Sequence, residues 1–198
     1  MLNKETTQFS AMQEVSLLSV LEQENRALRA KVAELERLVV CDALTPVSSR
    51  RHFMHELERW CWRARLHGGE YGLLFIDVDN LKSVNDAHGH LTGDMLLVSI
   101  AETLQASVGR FDLVARVGGD EFAILLDGVP VSEMASKAQQ ISTAVRMLNV
   151  SYQGISLAPS VSTGFTAIEA GVKPAELLMR ADQSMYAAKQ GKGIDPRR

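Results

Sequence analysis

The sequence predicts a mixed α/β domain in which strands and helices alternate, preceded by a separate N-terminal helix. Three observations carry that expectation. Tyr71 to Asp79 is an apolar run of strand length that closes on Asp77-Val78-Asp79. Two further apolar runs, 112–117 and 122–126, flank Gly118-Gly119-Asp120-Glu121 and read as a β-hairpin whose glycines supply positive φ. Residues 11–40 contain neither glycine nor proline and carry a heptad pattern.

The bulk numbers set limits. A chain of 198 residues, 46% hydrophobic, accommodates one well-cored domain plus an extension. A net charge of −3 gives no basis for broad binding to nucleic acid or to an anionic membrane. No apolar run approaches the roughly 18 residues of a transmembrane helix. The N-terminus lacks the basic-then-apolar pattern of a signal peptide. Cys41 and Cys61 fall outside any CxxC spacing and read as reduced thiols. The expected location is cytoplasmic.

In the N-terminal helix Leu18, Asn25, Val32 and Val39 occupy heptad position a, and Leu21, Leu28 and Leu35 occupy d. β-branched residues at a with leucine at d favour two parallel strands, and one asparagine at a fixes register. Glu24 at g would face Arg29 at e of a second copy, and Lys31 would face Glu36. A parallel homodimer through residues 18–39 is therefore expected; the alternative is an amphipathic helix packed on its own domain. Pro46 breaks the helix, which places the boundary between residues 1–41 and 42–198. A helix resumes at Arg50 and stops near Leu66, before His67-Gly68-Gly69. There follow the strand 71–78, a dense polar connection, a helix over about 93–107, the hairpin 112–126, a helix over 131–148, a strand over 158–167 and a helix over 174–190.

The chemistry gathers at strand ends. Adjacent carboxylates in the hairpin turn repel unless a cation lies between them and a partner, although a solvated polar tip would show the same letters. Asp77 is costly to bury without a partner. Asp77 and the turn acids suit a shared hard cation, and Mg²⁺ suits them because it takes few carboxylates and completes its shell with water and phosphate oxygens. In the polar connection, Asn85 and Asp94 can read the hydrogen-bonding edge of guanine. Lys82 can meet phosphate, and the backbone amides near Asn80 and Leu81 can cradle it. His88 and His90 lack a third zinc ligand at suitable spacing, and no GxxxxGK[ST] loop is present.

Phe75-Ile76-Asp77-Val78-Asp79-Asn80-Leu81-Lys82 continuing to Asp94, followed by Arg116-Val117-Gly118-Gly119-Asp120-Glu121-Phe122, resembles the GGDEF-domain diguanylate cyclases. Ser162-Thr163-Gly164 and Ala181 to Lys189 extend the resemblance, which runs from about Asp42 to Lys192. It implies a nucleotidyl-cyclase palm-like (ferredoxin-like) fold, an antiparallel sheet with flanking helices. It also implies an enzyme that condenses two GTP into cyclic di-GMP with release of two pyrophosphates, acting as a homodimer with one GTP per protomer. By the same resemblance Asp77, Asp120 and the Val78 carbonyl hold Mg²⁺ (or Mn²⁺), and Glu121 completes the acidic site as a further ligand or in activating the 3′-hydroxyl. Lys82 stabilises the transition state. Asn85 and Asp94 read guanine, while His90, Asn80, Leu81, Arg116, Gly118, Gly119 and Lys189 contact substrate. Lys192 takes the place of a phosphate-binding arginine, with loss of bidentate geometry.

Three departures stand out. Asp42-Ala43-Leu44-Thr45-Pro46-Val47-Ser48-Ser49-Arg50-Arg51 has Pro46 for the family's usual Gly and Ser49 for its Asn. Gly109 occupies the arginine position of the family's product-inhibition site, so inhibition through that site is expected to be weak or absent although Asp112 is retained. Leu81 replaces a usual Phe. Two other readings stay open: a catalytically silent module that binds GTP or cyclic di-GMP, and a dimerisation adaptor. The sequence contains no recognisable sensory domain, so any upstream regulatory partner is unknown.

Overall fold

The computed structural model describes residues 23–26, 28, 29, 31, 32, 40–152 and 154–191. The chain divides into two compact units, Met1–Val39 and Val40–Arg198. In the first, residues 23–26, 28, 29, 31 and 32 are helical, and Leu28 and Val32 are exposed. The heptad positions Leu18, Leu21, Leu35 and Val39 lie outside the described residues, as does Lys192. Among the described residues, no helix is long and apolar enough to cross a membrane.

The second unit is a mixed α/β domain with a central sheet flanked by helices. Its elements run β1 (Ser48–Ser49), α1 (Arg50–His67), β2 (Tyr71–Val78), α2 (Leu81–His88), α3 (His90–Ala106), β3 (Leu113–Arg116), β4 (Glu121–Asp127), α4 (Val131–Arg146), β5 (Val150–Tyr152), β6 (Ile155–Leu157), β7 (Val161–Ala167) and α5 (Pro174–Gly191). The main sheet has the order β1-β3-β4-β2-β7, while β5 and β6 form a separate ribbon. All its pairings are antiparallel except β1 with β3.

Alternation along the strands builds two cores. Leu74, Ile76, Val78, Phe122, Ile124 and Leu126 pack against Leu97, Ile100 and Leu104 of α3 and Met134, Ile141 and Val145 of α4. Leu73, Phe75, Ala123 and Leu125 pack against Phe53, Leu57 and Trp60 of α1 and Leu177, Ala181 and Met185 of α5. Each large apolar side chain so buried contributes about 1.5–3 kcal/mol. Because β2 is central and covered on both faces, its sequence reads as a continuous apolar run rather than an alternating one.

The helix predicted from Arg50 is present, capped by the Ser49 hydroxyl on His52 N–H and stopped at Gly68 with φ 66°. Three features differ from expectation. The polar connection after β2 is an eight-residue helix, α2, whose apolar side is Leu81 (buried) and Val84 against the core. The short strands β1, β5 and β6 were not anticipated, since two or three residues carry no periodicity. Gly118 and Gly119 do not take positive φ. At Gly118 a Cβ would meet the Glu121 carboxylate, which would have to swing aside.

Candidate active site

The site is assembled where β2 ends beside the β3–β4 turn. Asp77 and Glu121 are register partners across β2 and β4, and Val78 N–H donates to the Asp120 carbonyl at 2.9 Å. The chain leaves β2 through Asp79 and Asn80, and Asn80 adopts φ 61° at the start of α2. Gly89, at φ 83°, turns α2 into α3, a conformation that a side chain at this position would resist.

One cavity of about 430 Å³ is lined by Leu81, Lys82, Asn85, Asp86, His90, Asp94, Leu97, Arg116, Gly119 and Asp120. Eight of the residues singled out in the sequence therefore meet in one concavity, drawn from α2, α3, the end of β3 and the hairpin turn. Two polar atoms in its lining are buried without a partner, Asn85 Oδ1 and Arg116 Nε. Buried polar atoms of this kind carry a desolvation cost that a polar ligand removes. Gly93 makes room for Asn85, because a Cβ at 93 would collide with the Asn85 amide oxygen.

The two acids of the turn part company. Asp120 lines the first cavity, whereas Glu121, the first residue of β4, lines a second cavity of about 340 Å³ with Arg50, Phe53, Phe75 and Asp182. Asp77 accepts a hydrogen bond from Lys189 Nζ of α5 at 2.5 Å, and both side chains are 13% exposed. α5 reaches that position because Gly164 of β7 lets the helix backbone approach closely; a Cβ there would strike Met185 N and the Ala181 carbonyl.

Charge accumulates here. Burial raises the Asp77 carboxyl pKa above its ordinary value despite the opposing hydrogen bond and charge of Lys189, and repulsion from Asp120 and Asp79 adds a smaller push upward. Burial also raises Glu121, with repulsion from Asp120, Asp77 and Asp182 and a smaller offset from Arg50. Among the described residues no three His, Cys, Asp or Glu side chains form a closed metal cage. Asp77 and Asp120 nevertheless lie close enough to repel each other, and carboxylate oxygens are the donor type that Mg²⁺ takes, its remaining positions being filled by water and phosphate oxygens. Mutually repelling, half-buried oxygens are the donors a hard cation stabilises.

Arg116 holds the turn in place. Its guanidinium donates to the Gly119 carbonyl at 2.7 Å and meets Asp42 Oδ1 at 3.3 Å. Burial alone would raise Asp42, but hydrogen bonds from Thr45 and Leu44 and the charge of Arg116 leave it below its ordinary value. Arg50 NH1 donates to the Val117 carbonyl at 3.0 Å, so a second arginine supports the same hairpin. The sequence did not single out Arg50, Asp182, Ser160 or Ser162 as site residues. Ser160 Oγ and Ser162 Oγ each donate to the Asp79 carboxylate at 2.7 Å, and their shared parity with Asp77 and Asp79 was the available signal. Asp112 accepts from the N–H groups of Gly109 (2.7 Å) and Asp127 (2.9 Å).

Comparison with known proteins points in one direction. Residues 39–193 match the family model described as diguanylate cyclase, GGDEF domain. The chain is 30% identical over 170 residues to diguanylate cyclase DgcP of Pseudomonas aeruginosa, covering 86% of this chain and 25% of that protein. It is 36% identical over 183 residues to diguanylate cyclase TpbB of the same organism, covering 88% of this chain and 41% of that protein. The chain thus spans a quarter to two fifths of the length of these curated relatives. Among solved structures, the coiled coil and GGDEF domain of DgcB from Caulobacter crescentus, in complex with c-di-GMP, superposes with a TM-score of 0.84 at 28% identity. That match covers 89% of this chain and 94% of the other.

Proposed function

The chain belongs to the GGDEF-domain diguanylate cyclase family, and from that premise we propose that it condenses two GTP into cyclic di-GMP with release of two pyrophosphates. The observation that carries this reading is the cavity uniting Lys82, Asn85, His90, Asp94, Arg116 and Asp120, two of whose polar atoms await a ligand.

Each residue has work to do. Asn85 Oδ1 accepts from guanine, and Asp94 takes its N1–H and N2–H₂. Lys82 and the backbone amides at the start of α2 receive the triphosphate, with Lys189 a further cation for it. Asp77, Asp120 and the Val78 carbonyl hold Mg²⁺, which when bound would neutralise charge on the phosphate oxygens and the departing pyrophosphate. Glu121, whose proton affinity is raised by burial and by neighbouring acids, suits uptake of the 3′-hydroxyl proton.

One protomer holds one GTP, so the reaction needs two. The 3′-oxygen of each nucleotide forms a bond to the α-phosphorus of the other, and pyrophosphate leaves from each. Residues 18–39 supply the pairing as a parallel coiled coil, with residues 42–198 as the catalytic domain. The exposed apolar side chains Leu28 and Val32, at d and a, support a second copy covering them. The division of the chain at Val39 is in keeping with this organisation. With Gly109 lacking a guanidinium and Asp112 engaged by backbone amides, product inhibition at the family's inhibitory position is weak or absent.

Incubation of the purified protein with GTP and Mg²⁺, with product identified by mass spectrometry, tests the reading. Asp120→Asn and Glu121→Gln should each abolish cyclic di-GMP formation while melting like the wild type. Undiminished product from either variant would overturn the assignment. GTP binding without turnover by the wild type would instead identify a silent binding module.

A further inference from the structure

Asp79 is the acid of Asp77-Val78-Asp79 that the proposed reaction leaves without a role. It is 6% exposed, and its two carboxylate oxygens are each already committed to a hydroxyl: Oδ2 accepts from Ser160 Oγ and Oδ1 from Ser162 Oγ, both at 2.7 Å. Its own N–H donates to the Ser160 carbonyl at 2.9 Å. Hydroxyl donors to an ionised acceptor make short, strong hydrogen bonds. Two hydroxyl–carboxylate bonds and one backbone bond thus tie the residue after β2 to the entry of β7.

The next residue shows why such a tie matters. Asn80 is the non-glycine residue at positive φ among those described, and its side chain makes no capping hydrogen bond. A left-handed conformation costs most residues other than glycine about 1–2 kcal/mol; asparagine adopts it more readily than most, and here neighbouring contacts support it. Downstream it is held by burial of Leu81 and by Val84 N–H on the Asn80 carbonyl at 3.2 Å. Upstream, the hold is Asp79. The Val78 carbonyl just before Asp79 and the amides of Asn80 and Leu81 just after it are the backbone groups to which the metal and phosphates are assigned.

We propose that Asp79, Ser160 and Ser162 form a clamp that positions the phosphate-binding turn 78–82, with Asp79 a positioning residue rather than a third metal ligand. The proposal rests on the cyclase reading, because the turn is poised for a nucleotide only if one binds there. A clamp deprived of its serines loses the set of the turn and largely spares cation affinity, whereas a metal ligand deprived of them loses cation affinity.

The test uses the full chain as wild type, Asp77→Asn, Asp79→Asn, Ser160→Ala, Ser160→Thr and the double variant Ser160→Ala/Ser162→Ala. Mn²⁺ binding without nucleotide is followed by electron paramagnetic resonance, and binding of α,β-methylene GTP by calorimetry. Melting curves and the division of any activity change between kcat and KM complete the set. The double serine variant should weaken the analogue and raise KM by on the order of tenfold. Its Mn²⁺ affinity should fall far less than that of Asp77→Asn, and Ser160→Thr, which keeps the hydroxyl, should restore what Ser160→Ala loses. Ser160 is only partly buried, so the single variants keep the test alive if Asp79→Asn fails to fold. Unchanged analogue binding and KM in the folded double variant would overturn the clamp. So would loss of Mn²⁺ binding in Asp79→Asn as complete as in Asp77→Asn. Wild-type protein that binds neither probe would remove the cyclase reading itself and the clamp with it, an outcome distinct from intact binding with indifferent serines.

Discussion

Lys189 Nζ sits on Asp77 Oδ1, so the last turns of α5 supply the cation that balances the acid at the end of β2. With both side chains largely shielded, this attraction is not screened away as it would be on the surface. A divalent ion taking Asp77 must displace or share that ammonium. Lys189→Met should therefore tighten Mn²⁺ binding in the absence of nucleotide, by about five-fold, while weakening the binding of a GTP analogue. Mn²⁺ titration by electron paramagnetic resonance checks it. Equal affinity in the two proteins would show that Lys189 does not compete for the acid.

Gly93 owes its identity to the Asn85 amide, which occupies the space a Cβ would need. Gly93→Ala should push Asn85 aside and remove a guanine contact, raising KM for GTP by about tenfold while kcat falls much less, as expected for loss of a buried hydrogen bond to substrate. Discrimination between GTP and ATP should narrow in parallel. A variant with wild-type KM would mean that Asn85 takes no part in reading the base.

Asp42 offers a pH-dependent prediction. Its folded pKa is depressed below the ordinary 3.8, so its stabilising contribution is complete above that value and is lost as pH falls through the lower folded pKa. Asp42→Asn should cost about 1–2 kcal/mol at pH 7, or roughly 3–6 °C in Tm. The gap between wild type and variant should stay constant from pH 7 to about 5, begin to narrow as pH falls through 3.8 and close only below the lower folded pKa, where the Asp42 carboxyl is neutral folded or unfolded. Thermal melts across that range decide it; a gap that closes already near neutrality would assign the effect to another group.

Much of this was legible beforehand, and the reasons differ from residue to residue. Tyr71–Val78 could be read because a strand covered on both faces is apolar throughout. Lys82, Asn85, His90 and Asp94 fall in one cavity because α2 and α3 bring one polar stretch around Gly89. α2 itself was hidden, since eight mainly polar residues behind a left-handed Asn80 show little apolar stripe. The partners of Asp79 lie more than eighty positions away, and only the sheet register between β2 and β7 brings Ser160 and Ser162 to it. The separation of Asp120 from Glu121 depends on where the turn ends and the pleat begins, which no run of letters states.

Removal of residues 1–40 probes the pairing helix. If residues 18–39 bring two half-sites together, specific activity of the truncated protein should fall steeply on dilution while the intact protein holds its rate over the same range. Sedimentation across that range should give dimer for the intact chain and monomer for the shorter one. Equal specific activity of the two at every dilution would show that the catalytic domains meet without the helix.

The parallel rung between β1 and β3 joins Ser48 to Ala115 and Ser49 to Arg116, at the point where Arg116 also grips Asp42. From there to Gly118 the chain has only Val117 left to run. Entry segment and hairpin turn are thus tied directly, so that a displacement of Asp42 would act on Arg116, two residues from Gly118.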